Sequence, residues 1–155
     1  MKRLVGLPGD TVQIRRGTLI INGVSSKRER IADYIERNWD RFYGRILIDH
    51  RYRYVETTPN GTTHEILGDT TNSREDSSPQ DNTGVFTVPE GHFFVVGDNR
   101  DNSNDSRLEL GYVPVQNLVG RVEYCYFSRE DNGAGWKVWT WPSSIRWDRF
   151  FKVLH

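Results

Sequence analysis

The sequence holds a single cysteine, Cys125, so no internal disulfide can form and the redox compartment leaves no mark on it. It has no excess of charge either. Twenty-one Lys and Arg balance 21 Asp and Glu, which leaves no net field to gather nucleic acid or anionic lipid. No apolar run approaches the ~20 residues that a membrane span requires. Met1-Lys2-Arg3 runs on into Gly and Pro rather than into the apolar stretch of a secretion signal. Four scattered histidines and one cysteine compose no zinc pattern. Asp101, Ser103 and Asp105 alternate as at the start of a calcium loop, but the sixth position is Ser106 rather than Gly and the twelfth is Tyr112 rather than Glu. Gly6-x-x-Gly9 is too short for a phosphate loop and lacks its Lys-Ser/Thr. The expectation is therefore no metal, no cofactor and no nucleic-acid partner.

What is present is β-forming. Hydrophobic residues make up a modest 35%, but five Trp, seven Tyr and seven Phe supply much of the burial available to one core and a smaller satellite. Val12 and Ile14 alternate with polar neighbours, Arg16-Gly17 turns the chain, and Thr18–Ile21 runs into Asn22-Gly23, a strong hairpin signal. Ser25–Asn38 carries charges of mixed sign and reads as a solvated face. Arg45–Thr57 returns to a strand pattern, with Tyr52 and Tyr54 on one face. Asn60-Gly61 offers another turn before a short strand through His64 and Ile66. Gly68–Gly84 is polar and nearly free of apolar residues, the composition of a long loop. Leu118–Val122 reads as a strand continuing through Tyr124, Tyr126 and Phe127, and Cys125 within it as a small core residue. The tail carries Trp136, Trp139, Trp141 and Trp147, reads as a last strand and a short helix, and its aromatics read by default as core. Short strands between Gly-, Pro- and Asn-rich turns predict an all-β fold of antiparallel sheets with little helix.

One stretch organises the rest. The eleven residues Gly97-Asp98-Asn99-Arg100-Asp101-Asn102-Ser103-Asn104-Asp105-Ser106-Arg107 include no aliphatic or aromatic side chain. They follow Phe93–Val96, a continuous apolar run that reads as a buried strand. Asp, Asn and Ser side chains fold back on nearby backbone N–H groups, so such a loop can be rigid without apolar packing. Asp105 and Arg107 are close enough to pair, or to tie the loop to neighbouring strands.

Together with the opening segment Lys2-Arg3-Leu4-Val5-Gly6-Leu7-Pro8-Gly9-Asp10, about ninety residues earlier, this loop closely resembles the bacterial type I signal peptidases, membrane-bound serine proteases with a Ser/Lys dyad. Val88-Pro89-Glu90-Gly91-His92-Phe93-Phe94 and Gly111-Tyr112-Val113-Pro114, with Asn117-Leu118-Val119-Gly120-Arg121, are similar to the same family. The resemblance covers nearly the whole chain and is weakest between about Ser25 and Asn82. It implies that Lys2 is the general base and that Ser103 orients it, with Asp98, Asn102, Asp105 and Arg107 holding the site together. It also implies a catalytic-core β domain over residues 1–24 and 83–155. Residues 25–82 would form an inserted β-rich subdomain, where the family carries its most variable insertion.

The family's nucleophile is a serine in a Ser-Met-x-Pro segment that precedes the lysine strand and follows one or more transmembrane helices. Only Met1 precedes Lys2 in this sequence. The expectation is that this chain holds no nucleophile and no anchor, is inactive alone, and is a soluble fragment. The parent enzyme would sit in the bacterial inner membrane with its catalytic domain on the periplasmic side, cleaving signal peptides from exported preproteins. The alternatives are a non-catalytic β module that binds export substrates or a peptidase partner, and a related processing peptidase for pilin or conjugation proteins.

A lysine serves as general base only when neutral near working pH, so its pKa must fall from about 10.4 to roughly 7–8, which burial of the amine can supply. Along a strand Lys2 shares its face with Leu4, an arrangement that could aim the amine at an apolar floor while Arg3 reaches solvent or an acid. Standing alone, a lysine at position 2 is a frayed, solvated chain end. With no covering segment, Lys2 is expected to be poorly ordered. The resemblance also suggests that some of the Trp-rich tail touches a bilayer.

Overall fold

The computed structural model describes residues 2–40, 42–69, 79–128 and 145–153. It is built of β-strands, and the helical elements among the described residues are two three-residue 3-10 turns, Val115–Asn117 and Trp147–Arg149. This agrees with the all-β expectation. No helix among these residues is long and apolar enough to cross a membrane. The chain divides into two compact units, Met1–Tyr34 with His50–Val119, and Ile35–Asp49 with Gly120–His155. Residues 25–34 and 50–69 group with the first unit and residues 35–49 with the second.

The core of the first unit begins with a hairpin. Strands β2 (Thr11–Arg15) and β3 (Thr18–Ile21) pair in the register Val12↔Ile21 and Ile14↔Leu19, flanked by the two-residue strands β4 (Val24–Ser25) and β8 (Phe86–Thr87). Both turns have the required chemistry: Arg16-Gly17 and Asn22-Gly23 each hold two successive positive φ angles, the signature of a tight hairpin turn. A second sheet sets β1 (Arg3–Gly6) and β10 (Val113–Pro114) on either side of β9 (His92–Val96). Alternation turns Val12, Ile14, Leu19, Val88, Phe94 and Val96 into one buried cluster, with Val5, Ile21, Phe86 and Tyr112 packed against it. Each large side chain buried there contributes about 1.5–3 kcal/mol.

The charged segment after Ser25 is a strand rather than only a solvated face. β5 (Lys27–Asp40), β6 (Arg45–Thr57) and β7 (Thr63–Asp69) form a three-stranded sheet in that order. Basic residues are compatible with a strand here because their guanidinium groups lie on aromatic faces: Arg28 is 4.4 Å from the Tyr54 ring centroid and Arg30 is 3.8 Å from that of Tyr52.

Among the described residues of the second unit, β11 (Tyr124–Cys125) pairs with β12 (Lys152–Val153), beside stacked Trp147 and Phe150 rings 5.2 Å apart. The expected strand through Leu118–Phe127 shrinks to those two residues. Val119 is fully exposed and Val122, Tyr124 and Tyr126 are also exposed, so apolar character there does not mark core. Cys125 is half-buried with its Sγ 3.5 Å from the Phe127 carbonyl, and is not a core residue. Most of the polar loop expected around Gly68–Gly84 lies outside the described residues, as do Trp136, Trp139 and Trp141 of the tail; Trp147 is exposed.

Candidate active site

The polar loop that follows β9 turns back on its own strand. Ser106 donates its N–H to the Val95 carbonyl (3.0 Å), and its Oγ accepts the Val95 N–H (2.9 Å). Asp105 is fully buried, and its Oδ2 accepts the Gly97 N–H at 2.8 Å. Arg107 closes the arrangement with Nε 2.9 Å from Asp105 Oδ1 and Nη2 2.8 Å from Oδ2, a two-pronged pair, while Nη2 also donates to the Arg100 carbonyl at 2.6 Å. Burial pushes the Asp105 carboxyl up, but the Arg107 guanidinium and the Gly97 N–H outweigh it and hold the group below the usual carboxylate range. Asp105 and Arg107 do pair, and Arg107 also ties the loop outward, its Nη1 donating to the Gln80 carbonyl at 3.5 Å.

β1 runs antiparallel beside β9, with Arg3 opposite Val96 and a register shift between Leu4 and Gly6. That pairing carries Lys2 to the start of the loop, where its Nζ donates a hydrogen bond to Ser103 Oγ. Ser103 is buried, and the two residues are 101 positions apart in sequence. Lys2 is thus held by a partner rather than frayed. Gly97 makes the approach possible: a Cβ there would lie 2.6 Å from Ser103 Cβ and 3.2 Å from Lys2 Nζ. Arg3 leans the other way and holds Asp98 with Nε at 2.9 Å and Nη2 at 3.1 Å. The strand's core-facing side chain is Val5, whereas Leu4 is exposed. Lys2 therefore meets the buried Gly97–Ser103 corner rather than an apolar floor beneath the sheet. Asn102 is exposed, with its N–H donating to the Asn99 carbonyl at 3.3 Å.

Sequence reasoning missed a second set of residues. Glu56, at the end of β6, is fully buried and takes both Nη1 (3.2 Å) and Nη2 of Arg100 on its two carboxylate oxygens. His64 sits directly opposite Glu56 in the β6–β7 register, with Nε2 3.2 Å from Glu56 Oε2. Burial pushes the Glu56 carboxyl up, and the His64 imidazole and Arg100 guanidinium together bring it below its usual range. Arg51 adds a bond from Nη1 to Asn99 Oδ1 at 2.7 Å. The signal lay in the turn. A two-residue turn at Asn60-Gly61 would set Glu56 opposite Glu65, but the connection runs from Thr58 to Thr62 (Thr58 N–H to Thr62 carbonyl, 2.9 Å) and shifts the register by one residue.

Chemically, the arrangement presents a primary amine beside a buried hydroxyl on a rigid loop, with two carboxylate–guanidinium pairs behind it. Among the described residues no group of His, Cys, Asp and Glu could hold a metal ion.

Comparison with known proteins agrees with the sequence motifs. Residues 1–127 match the model of the family described as signal peptidase, peptidase S26. The signal peptidase I of Rickettsia typhi (strain ATCC VR-144 / Wilmington) is 37% identical over 170 residues, covering 100% of this chain and 59% of the relative. That of Rickettsia conorii (strain ATCC VR-613 / Malish 7) is 35% identical with the same coverage. This chain thus spans 59% of the length of these relatives. A crystal structure of a signal peptidase I from Enterococcus faecalis V583 is 30% identical, covering 78% of this chain and 80% of that one, with a TM-score of 0.38.

Proposed function

The chain belongs to the signal peptidase family, peptidase S26, and from that premise we propose that it carries the general-base half of a serine endopeptidase site that removes signal peptides from exported preproteins. One observation carries the reading: the Lys2 amine and the Ser103 hydroxyl, far apart in sequence, are hydrogen-bonded at the mouth of a rigid polar loop. An amine that gives one N–H to Ser103 keeps its lone pair free to point elsewhere, toward an incoming hydroxyl.

In the proposed reaction neutral Lys2 takes the proton from a serine hydroxyl as that oxygen attacks the scissile carbonyl. The resulting ammonium then protonates the leaving amine, leaving an acyl-enzyme. Lys2 next takes a proton from water, whose oxygen attacks the ester; the signal peptide departs with a new carboxylate and the serine regains its proton. Ser103 orients Lys2, Asp98 steadies β1 through Arg3, and Asp105 and Arg107 hold the loop. Asn102 is the outward member of the same turn. The nucleophilic serine is proposed to lie ahead of Lys2, in the part of the relatives' length that this chain does not span. The membrane-bound, periplasm-facing placement of the parent enzyme belongs to the same proposal.

The test is cleavage of a preprotein bearing a signal peptide, by residues 1–155 alone and by the natural-length gene product in detergent. Cleavage only by the longer protein, lost by on the order of 10²–10⁴-fold in Lys2→Ala, supports the reading. Cleavage by residues 1–155 alone would overturn the placement of the nucleophile. Binding without cleavage by either form would favour a non-catalytic β module.

A further inference from the structure

We propose that Glu56 is a positioning residue for the Lys2–Ser103 pair, acting through Arg100 from a hairpin outside the signature loop. The proposal rests on the functional reading above for the words "general base", but its geometry stands independently.

Ser103 lies between two anchors. On one side Asp105 is held by Arg107 and by the Gly97 N–H, all within the loop. On the other side Arg100 is held from outside. Its backbone N–H donates to the Leu67 carbonyl (2.9 Å), the Leu67 N–H donates to the Asp98 carbonyl (2.8 Å), and its guanidinium is gripped by Glu56. Leu67 and Asn99 form a parallel bridge at the same place. Only Asp101, Asn102, Ser103 and Asn104 separate the anchors, so the position of the Ser103 hydroxyl depends on where Arg100 is fixed. The two anchors are also joined, because Arg107 Nη2 donates to the Arg100 carbonyl. Arg100 is nearly inaccessible to solvent and water cannot replace a lost carboxylate there, so removing Glu56 leaves a buried cation that must move. Movement of Arg100 carries the segment that ends in Ser103.

A merely structural role would lower stability without a specific effect at the loop, and two readouts separate the cases. In Glu56→Gln of residues 1–155, amide hydrogen exchange at Arg100 and Leu67 is expected to rise about tenfold while Ile14 in the β2 strand stays as in the wild type. In the natural-length protein kcat is expected to fall on the order of ten- to a hundredfold with KM held, because a misplacement near 1 Å at the reacting groups costs that much. The partial restoration expected from Glu56→Asp, which keeps the charge, marks the same role. Unchanged exchange at Arg100 and Leu67 would overturn the tether, and faster exchange with unchanged kcat would overturn positioning. Where Ile14 exchange also rises, the double variant Glu56→Leu with Arg100→Met decides, since it removes both buried charges. Restored stability with kcat still low supports the proposal; restored stability with restored kcat overturns it. Wild-type protein that cleaves no preprotein would count against the proposed function, while the exchange readout still judges the tether.

Discussion

Asp105 and Glu56 are both fully buried carboxylates facing a guanidinium, yet they hold the same loop by different routes. Asp105 and Arg107 are two residues apart, and their pairing costs little chain entropy because the loop already brings them close. Glu56 and Arg100 are 44 residues apart and meet only because β6 and β7 fold onto the loop. The first pair makes the loop rigid in itself, and the second fixes where the rigid loop sits. A loop can be well ordered and still badly aimed, so the two pairs are not redundant.

Removing each carboxylate in turn separates the two routes. Asp105→Ala leaves Arg107 buried without its partner and frees the Gly97 N–H, and is expected to cost about 3–5 kcal/mol in urea unfolding. Combined with Glu56→Ala, it should show a coupling of about 0.5–3 kcal/mol, because Arg107 touches both halves through the Arg100 carbonyl. Strict additivity would mean that the two pairs act independently.

Gly97→Ala tests the corner that both pairs support. The added methyl meets Ser103 and Lys2, so about 1–3 kcal/mol is expected from overpacking. Wild-type stability in a thermal melt would mean that the corner is looser than drawn.

Titration sharpens the contrast further. Glu56 and Asp105 have folded-state values below their ordinary ones, so the stability they contribute is present above the unfolded carboxylate range near 4 and lost as pH falls through the folded values. Asp81 has the opposite sign. Burial, then repulsion from Asp101, raises it to about 6, against attraction from Arg107, Arg28 and Arg100. Its contribution is present below its ordinary value of 3.8 and lost as pH rises through 6. Asp81→Asn is therefore expected to raise the melting temperature at pH 8 and leave it unchanged at pH 3. The same increase at both would separate the effect from ionisation.

The smallest effect belongs to the surface. Arg3 and Asp98 are partly exposed, and Arg3→Ala is expected to cost about 0.2–1 kcal/mol and to lose that cost in high salt. A loss of several kcal/mol would place this pair with the buried ones.

The loop's own chemistry was legible because its partners are neighbours: Asp105, Arg107 and Ser106 answer one another and the end of β9 within a dozen residues. Lys2 was legible through the resemblance of its segment to a family, since nothing in a terminal lysine names Ser103 as its partner. Glu56, His64 and Arg51 were not, because a charged residue on a strand reads as solvent-facing until register and a third element cover it. The strand expected through Leu118–Phe127 failed for the converse reason: apolar residues there remain exposed, and composition cannot distinguish an uncovered run from a core one.

By itself the sequence determined the all-β class, the two tight hairpin turns, the core alternation of Val12, Ile14 and Leu19, the polar loop and the family. These depend on local propensity, period and spacing, which travel with the chain. Tertiary structure alone decided that Glu56 faces His64 and grips Arg100, and that Gly97 admits Ser103 beside Lys2. Those contacts depend on a one-residue register and on backbones meeting at van der Waals distance, and both are properties of packing.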